Sequence, residues 1–594
     1  MENIKLFQQK MQTLGIDLFL IPTADYHNSE YISSYFKIRE FLTGFTGSAG
    51  TLILTQTDAL LWVDGRYFIQ AAKQIEGKPI TLMKMGTPNT PTVLEYIKTF
   101  IKENMTIAFD GKMVDTKMAL KIKESVPEKV KIIISDDITD TMWNDRPKLP
   151  FSLLYKLDEF YSGKSYKDKL NIILQKMEEE KIDTYIISAL EDQAWLYNMR
   201  GNDVSHTPVF LAYTVITPAT TTLFIDQRKI DITINKYLGE NDIEVKNYTE
   251  IFEHLKTIRN KHVLINPNKV NYAIYNGISN NNNTITMHSD FTSLMKAIKN
   301  DTEIKNTKIA HIKDGVAVFR LMNYLKSSYE KKQDISELSL SDTIEKYRRE
   351  QEGFIDLSFD TICAFNEHGA MMHYKATTES SSKVTGNGLL LIDSGGHYFE
   401  GTTDITRTFS VGRISDKMKV HYTTVLKSVI NLSKAIFLKG CSGLNLDILA
   451  RGPIWDLLLD YKCGTGHGVG NLLSVHEGPN GFRWQVVPER EDSAQLEPGM
   501  ITTNEPGIYL ENKYGIRIEN EMLCVKKETN DFGTFYGFET ITYAPIDLDP
   551  VKVSMLTKEE KDWLNDYHQM VFENLSPQLE KDEIQILAKY TRKI

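Results

Sequence analysis

The sequence predicts a mixed α/β (α+β) protein of three domains, in which two related copies precede a larger third domain. Three observations lead there. KMQTLGIDLFLIPT, from Lys10, is answered by KMEEEKIDTYIISA, from Lys176, and LLWVDGRYF (60–68) by TLFIDQRKI (222–230), so that Asp64 and Arg66 fall on Asp226 and Arg228. The offset drifts only from 166 to 162, so the copies run nearly in step. Each copy alternates amphipathic helical spacing with β-branched runs such as TLILT and YTVIT, the pattern of α/β units. From about residue 361 the texture changes to short strands and glycine turns, and the dense clusters of His, Asp and Glu begin there.

The breaks between these regions are legible. NDRPKLPF (144–151) holds two prolines among alternating charges and suits a linker, which ends the first domain at 150. GISNNNNTIT is a polar surface loop of the second copy, which spans 151–302. KNDTEIKNTKIAHIKDGVAVFRLMNYLK (299–326) reads as a charged approach and then a long helix, opening a third domain over 303–594. Its next segment, through SLSDTIEKYRREQEGFIDLSF, carries apolar residues at helical spacing.

Composition excludes several classes of function. Hydrophobic content of 41% and charged content of 25% over 594 residues are those of an ordinary globular chain. A balance of 69 basic and 79 acidic residues gives a formal charge of −10 and no nucleic-acid footprint. The four cysteines, Cys363, Cys441, Cys463 and Cys524, form no CxxC and no disulfide framework, so a reducing, cytoplasmic setting is expected. MENIKLFQQKMQTLGIDLFLIP has charges spaced through it and no h-region, and no apolar run reaches the length of a membrane span.

The chemistry concentrates in three stretches. In LLLIDSGGHYFEGTTDITRTF the apolar run Leu389–Ile392 ends on Asp393, a glycine turn follows, and a returning strand from Tyr398 carries Asp404. An antiparallel hairpin can bring both carboxylates to one face. Asp404 alone could be a surface residue and Asp393 a turn cap. GTGHGVGNLLSVHEGP (464–479) sets His467 among glycines, which let backbones approach closely, and places His476 nine residues on. This stretch is no dinucleotide fingerprint, because the third glycine would fall on Val469, and no zincin motif, because Asn480 stands where a second His is required. In GMITTNEPGIYLENKYGIRIENEML (499–523), Glu505 follows an apolar run, and Glu519 lies in a strand pattern with Ile516 and Ile518. Arg517 and Glu519 share a face of that strand by period-two alternation.

Asp393, Asp404, His467, Glu505 and Glu519 make four carboxylates and one imidazole, too many anionic ligands for a single ion. They suit two divalent ions, Mn²⁺ foremost, with Co²⁺, Fe²⁺ or Zn²⁺ as alternatives; the lack of thiolates argues against a structural zinc. Two such ions can hold and activate one hydroxide between them, which is hydrolytic machinery. No GxSxG elbow or Cys/His nucleophile pair competes with it.

IDSGGHYFEGTTDITRT, GTGHGVG, VHEGP, NEPGIY and GIRIEN together resemble the pita-bread metallopeptidases, the clan of methionine aminopeptidase, prolidase and aminopeptidase P. The resemblance covers the full chain. Two tandem creatinase-like N-terminal domains before the catalytic one, with LLWVDGRYFIQAAKQ and NDVSHTPVF, look like the three-domain cytosolic X-prolyl aminopeptidases. The resemblance implies metal ligation by Asp393, Asp404, His467, Glu505 and Glu519, with Glu505 as general base. It implies that His373, in MMHYKAT, and His476 hold the substrate carbonyl, that Tyr509 lies in the active site, and that Arg517 pairs with a ligating aspartate. One position departs: where relatives often read His-Gly-Thr-Gly-His, this chain has Cys463 ahead of Gly-Thr-Gly-His467, at a position expected to contact substrate.

The implied reaction removes the N-terminal residue from peptides with proline second, and a homodimer is expected by the same resemblance. An Xaa-Pro bond is a tertiary amide with no N–H and a restricted preceding residue, which general proteases handle poorly. Two alternatives stand beside this reading: a prolidase-like Xaa-Pro dipeptidase, against which the three-domain length argues, and a non-catalytic pita-bread binding protein, against which the five retained ligand positions argue.

Overall fold

A computed structural model describes residues 2–135, 138–487, 490 and 492–594. The chain forms two compact units: one of residues 1–159 and 164–293, the other of 160–163 and 294–594.

The first unit holds two six-stranded mixed sheets. In one, β1 (Leu18–Pro22), β2 (Thr51–Thr55), β3 (Ala59–Val63), β4 (Thr81–Lys84), β5 (Thr106–Asp110) and β6 (Lys131–Ser135) lie in the order β4-β3-β2-β1-β5-β6. In the other, β7 (Thr184–Ile187), β8 (Ala212–Ile216), β9 (Thr221–Ile225), β10 (Ile243–Lys246), β11 (His262–Ile265) and β12 (Thr284–Met287) lie in the order β10-β9-β8-β7-β11-β12. Pairing directions agree as well: two antiparallel contacts at the centre and parallel ones outside. The sequence repeat is therefore a repeat of topology. Arg66 grips Asp64 at 2.7 Å, and Arg228 grips Asp226 at 2.5 Å, at the equivalent turns.

The copies also meet reciprocally. Asp115 and Asn271 each cap a helix, and the backbone N–H of Thr116 donates to Val270 O at 3.0 Å while that of Tyr272 donates to Val114 O at 2.9 Å. Strand β3 is buried on both faces because helices cover both sides of its sheet. Trp62 packs with Ile97 and Ile122 on one side, and Leu61 and Val63 pack with Phe45, Tyr67 and Ala71 on the other. This is why ALLWV reads as a continuous apolar run rather than an alternating one.

The second unit begins its main body with a 30-residue helix, Asp301–Glu330, opened by a capping box between Asn300 and Glu303. Its core joins this helix (Ala317, Leu321, Leu325) to the strand Gly388–Ser394 and to the helix Asp416–Ser433. Strands Ile362–Phe365, Gly388–Ser394 and Ile405–Val411 form one antiparallel sheet. A second antiparallel sheet has the order Ile436–Leu438, Gly533–Thr540, Asn520–Asn530, Ile501–Asn504, Gly466–Gly468, Glu477–Phe482.

Two local expectations change. The return from Asp393 is not one strand: short strands Gly396–Tyr398 and Gly401–Thr402 pair with each other first, and Asp404 sits in the break before Ile405–Val411. Glu519 likewise lies between strands Tyr514–Arg517 and Asn520–Asn530 rather than within one. The physical reason is that its backbone leaves the ladder: Glu519 N–H donates to Thr406 O, and its carbonyl accepts from the buried Arg407. Among the described residues, no helix is long and apolar enough to cross a membrane.

Candidate metal centre

The candidate residues lie on or beside the two antiparallel sheets just described. Asp393, near the end of its strand, stands opposite Thr406 in the Gly388–Ser394/Ile405–Val411 ladder. Asp404 lies two residues before Thr406, just outside that strand, and its Oδ2 reaches within 3.4 Å of His467 Nε2. His467 is the middle residue of Gly466–Gly468, and its flanking glycines are sterically required. A Cβ on Gly466 would meet Thr503 O at 1.9 Å, and one on Gly468 would meet Glu477 O at 2.2 Å. Glu505 follows Ile501–Asn504 and is anchored by its N–H to Thr465 O at 2.8 Å.

Ligand atoms of Asp404, His467 and Glu519 all lie within 4.8 Å of one another. His467 Nε2 is 3.4 Å from Asp404 Oδ2 and 3.4 Å from Glu505 Oε1. Asp393 joins through Arg517, whose Nη2 donates to Asp393 Oδ2 at 2.5 Å, and Arg517 Nε stands 4.0 Å from Glu505 Oε2. The five residues singled out from sequence thus occupy one locus. His476 stacks edge-to-face on His467, with ring centroids 4.3 Å apart. Tyr509 accepts a hydrogen bond from Arg517 Nη1 at 2.7 Å, and Arg517 Nη2 reaches the carbonyl of Met372, the residue before His373. Cys463 is half-buried, packs against the apolar core, and feels the charge of Glu505.

The electrostatics are those of anions brought together out of water. Burial first, then Asp393 and Glu505, hold the Asp404 carboxyl well above the usual carboxylate range. Burial first, then Asp404 and Glu505, do the same to Glu519. Among the described residues, Arg517 is the guanidinium that reaches these carboxylates, bonded to Asp393 and 4.0 Å from Glu505. Asp393 Oδ1 and Glu519 Oε1 are buried and take no hydrogen bond from the described residues. Buried carboxylate oxygens are costly without a partner, and clustered carboxylates ionise together only beside compensating cations. Hard oxygen donors with one imidazole, converging on a few ångströms, fit divalent metal ions.

Residues that sequence reading passed over complete the arrangement. The Thr406 hydroxyl donates to Glu519 Oε2 at 2.7 Å and accepts from Arg517 Nε at 3.1 Å. Thr408 brackets the Arg517 backbone, donating to its carbonyl and accepting from its N–H. The signal for both was available: counting by two from Asp404 gives Thr406 and Thr408 on one face.

Comparison with known proteins agrees with this architecture. Residues 3–142 and 145–303 each match a creatinase/prolidase N-terminal domain, 305–526 match metallopeptidase family M24, and 534–594 match the C-terminal region of peptidase M24. A probable Xaa-Pro aminopeptidase P of Tuber melanosporum is 36% identical over 97% of this chain and 96% of its own. Aminopeptidase P2 of Arabidopsis thaliana is 36% identical over 96% of this chain and 84% of its own. The crystal structure of an X-prolyl aminopeptidase from Caenorhabditis elegans, described as a cytosolic enzyme with a di-nuclear active site, superposes with a TM-score of 0.92 at 32% identity. It covers 98% of this chain and 95% of the other. An Xaa-Pro dipeptidase of Bacillus anthracis matches 65% of this chain at 23% identity and TM-score 0.51, a likeness of fold alone. With tandem creatinase-type domains, a pita-bread M24 domain and full-length relatives above 30% identity, the chain belongs to the X-prolyl aminopeptidase (aminopeptidase P) family of M24 metallopeptidases.

Proposed function

We propose that this chain hydrolyses the bond between the first residue of a peptide and a following proline, using two divalent ions held by Asp393, Asp404, His467, Glu505 and Glu519. The observation that carries this reading is the convergence of Asp404, His467 and Glu519 within 4.8 Å, beside buried carboxylate oxygens of Asp393 and Glu519 that take no hydrogen bond. The di-nuclear site of the C. elegans relative supports two ions, and the oxygen-rich donor set favours Mn²⁺. When bound, such ions supply a water nucleophile activated at neutral pH and a Lewis acid for the scissile carbonyl.

The remaining work falls to side chains. Glu505 receives the proton of the attacking water on a carboxylate oxygen and returns it to the departing proline nitrogen, which as a tertiary amide carries no proton of its own. His373 and His476 donate to the carbonyl oxygen as negative charge develops there. Arg517 keeps Asp393 oriented and offsets part of the anionic charge. Tyr509 and Cys463 line the substrate side. The domain limits at 150 and 302 belong to this reading, as does a cytoplasmic setting, supported by four free thiols. So does a homodimer. Leu458 (95% exposed), Val486 (57%) and the edge-to-face pair Trp455 and Trp484 present apolar surface of the kind that interfaces cover. Sedimentation showing a monomer at micromolar concentration would remove the dimer.

Product analysis tests the activity. Metal-loaded protein should release the first residue from Xaa-Pro peptides of three or more residues and leave Xaa-Ala peptides intact. Cleavage confined to Xaa-Pro dipeptides would favour the dipeptidase alternative, and no cleavage of any Xaa-Pro peptide would overturn the assignment.

A further inference from the structure

Behind the metal centre stands a buried pair that the mechanism above does not use. Glu521 Oε1 accepts the backbone N–H of Asp404 at 2.8 Å. Its other oxygen, Oε2, lies 3.0 Å from His311 Nε2, a close polar contact without the alignment of a hydrogen bond. Both side chains are fully buried. His311 comes from the helix Asp301–Glu330, whereas Glu521 lies two residues beyond Glu519 on the strand Asn520–Asn530. The pair therefore ties the long helix to the segment that carries Glu519 and, through the Asp404 N–H, to Asp404.

For packing alone this is an unfavourable choice. A buried polar or charged pair is often matched or bettered by apolar residues of similar volume. Here the carboxylate also brings a further negative charge next to an anionic site. What it provides is a bond that an apolar side chain cannot make. Asp404 sits in the break between Gly401–Thr402 and Ile405–Val411, where no ladder partner takes its N–H. The Glu521 carboxylate takes it, and Glu521 is itself fixed by its N–H to Thr542 Oγ1 at 2.8 Å and by His311.

We infer that Glu521, held by His311, is a positioning residue for Asp404 that sets how tightly the Asp404–His467–Glu519 locus binds its metal ion. The inference rests on the metal reading above. Support of a ligand from behind is worth about 10–100-fold in metal affinity where it has been tested in other sites.

Calorimetric titration of chelator-stripped protein with Mn²⁺ tests it, alongside the melting temperature of the metal-free forms. Glu521→Val should weaken binding of one ion by about 10–100-fold. Glu521→Gln, whose amide oxygen can still accept the Asp404 N–H, should bind within a few-fold of wild type. Should Glu521→Val fold poorly, the double variant Glu521→Val with His311→Phe replaces the pair by apolar groups; recovered metal-free stability with metal affinity still weakened supports positioning. If wild type binds two ions and Glu521→Val binds both as tightly, the pair only packs and the inference falls, while the metal reading stands. A wild type that binds no divalent ion overturns both.

Discussion

Arg517 meets the Asp393 carboxylate at 2.5 Å from a fully buried position, while its other nitrogens go to different partners: Nη1 to Tyr509 and Nε to Thr406. Its planar fork thereby fixes one carboxylate oxygen of Asp393, while Oδ1 takes no hydrogen bond from the described residues. Arg517→Ala should lower metal affinity by about 10–100-fold. Arg517→Lys should not restore it, because one ammonium cannot serve three divergent acceptors in a plane. Equilibrium dialysis against Mn²⁺ measures both, and wild-type affinity in Arg517→Ala would reduce the residue to packing.

Glu505 contacts His467 at 3.4 Å and, in the proposed mechanism, receives the proton of the attacking water. Glu505→Gln keeps the volume and removes the base. Its kcat should fall by about 10²–10⁴-fold, the usual worth of general base catalysis, with the melting temperature little changed. Steady-state kinetics on one tripeptide and a thermal melt separate the two effects.

Removal of metal should abolish turnover, and Mn²⁺ should restore it better than Mg²⁺. Binding to the native state alone also stabilises it, by about 2.7 kcal/mol at a hundredfold excess over Kd. Chelated protein should accordingly melt earlier, with recovery on add-back. Full activity in protein shown by elemental analysis to be metal-free would contradict the proposed chemistry.

His27 is buried between Ser188 O at 2.8 Å and Tyr248 Oη at 2.7 Å, and burial pushes its pKa down from 6.5 to about 3. The unfolded chain therefore takes up a proton at this site below pH 6.5, while the folded one resists until about 3. Its contribution to stability is full above pH 6.5 and is lost progressively as pH falls through that window. His568, also pushed down to about 3 by burial, acts in the same direction in the second unit. His27→Gln, which cannot take up that proton, should show a shallower fall of melting temperature between pH 6.5 and 4 than wild type. Parallel curves would exclude His27 as a source of acid sensitivity.

By the sequence resemblance Cys463 stands where a histidine is expected, and its thiol is pushed up to about 12 by burial and then by Glu505. A neutral thiol is a weak donor. If this position contacts substrate, Cys463→His should raise kcat/KM for pentapeptides a few-fold, since one hydrogen bond is worth about 0.5–1.5 kcal/mol, and should leave metal content unchanged. Identical constants for the two proteins on dipeptides and pentapeptides would place Cys463 outside the substrate path.

The sequence carried the periodic and local information. The repeat beginning at Lys10 and Lys176 was legible because both copies must bury the same faces of the same sheet topology, down to the Asp64–Arg66 and Asp226–Arg228 turns. The candidate metal-binding residues stood out because carboxylates beside apolar runs, and a histidine between glycines, are costly arrangements without a partner. Tertiary structure alone decided the breaks at Asp404 and Glu519. Both depend on groups more than a hundred residues away, such as Glu521 taking the Asp404 N–H and Arg407 taking the Glu519 carbonyl. It alone decided that His311, an unremarked position in a helical pattern, would meet Glu521. Period and propensity act over a few residues, whereas a buried polar group is satisfied by whatever the fold brings within about 3 Å, and that distance has no trace in local sequence.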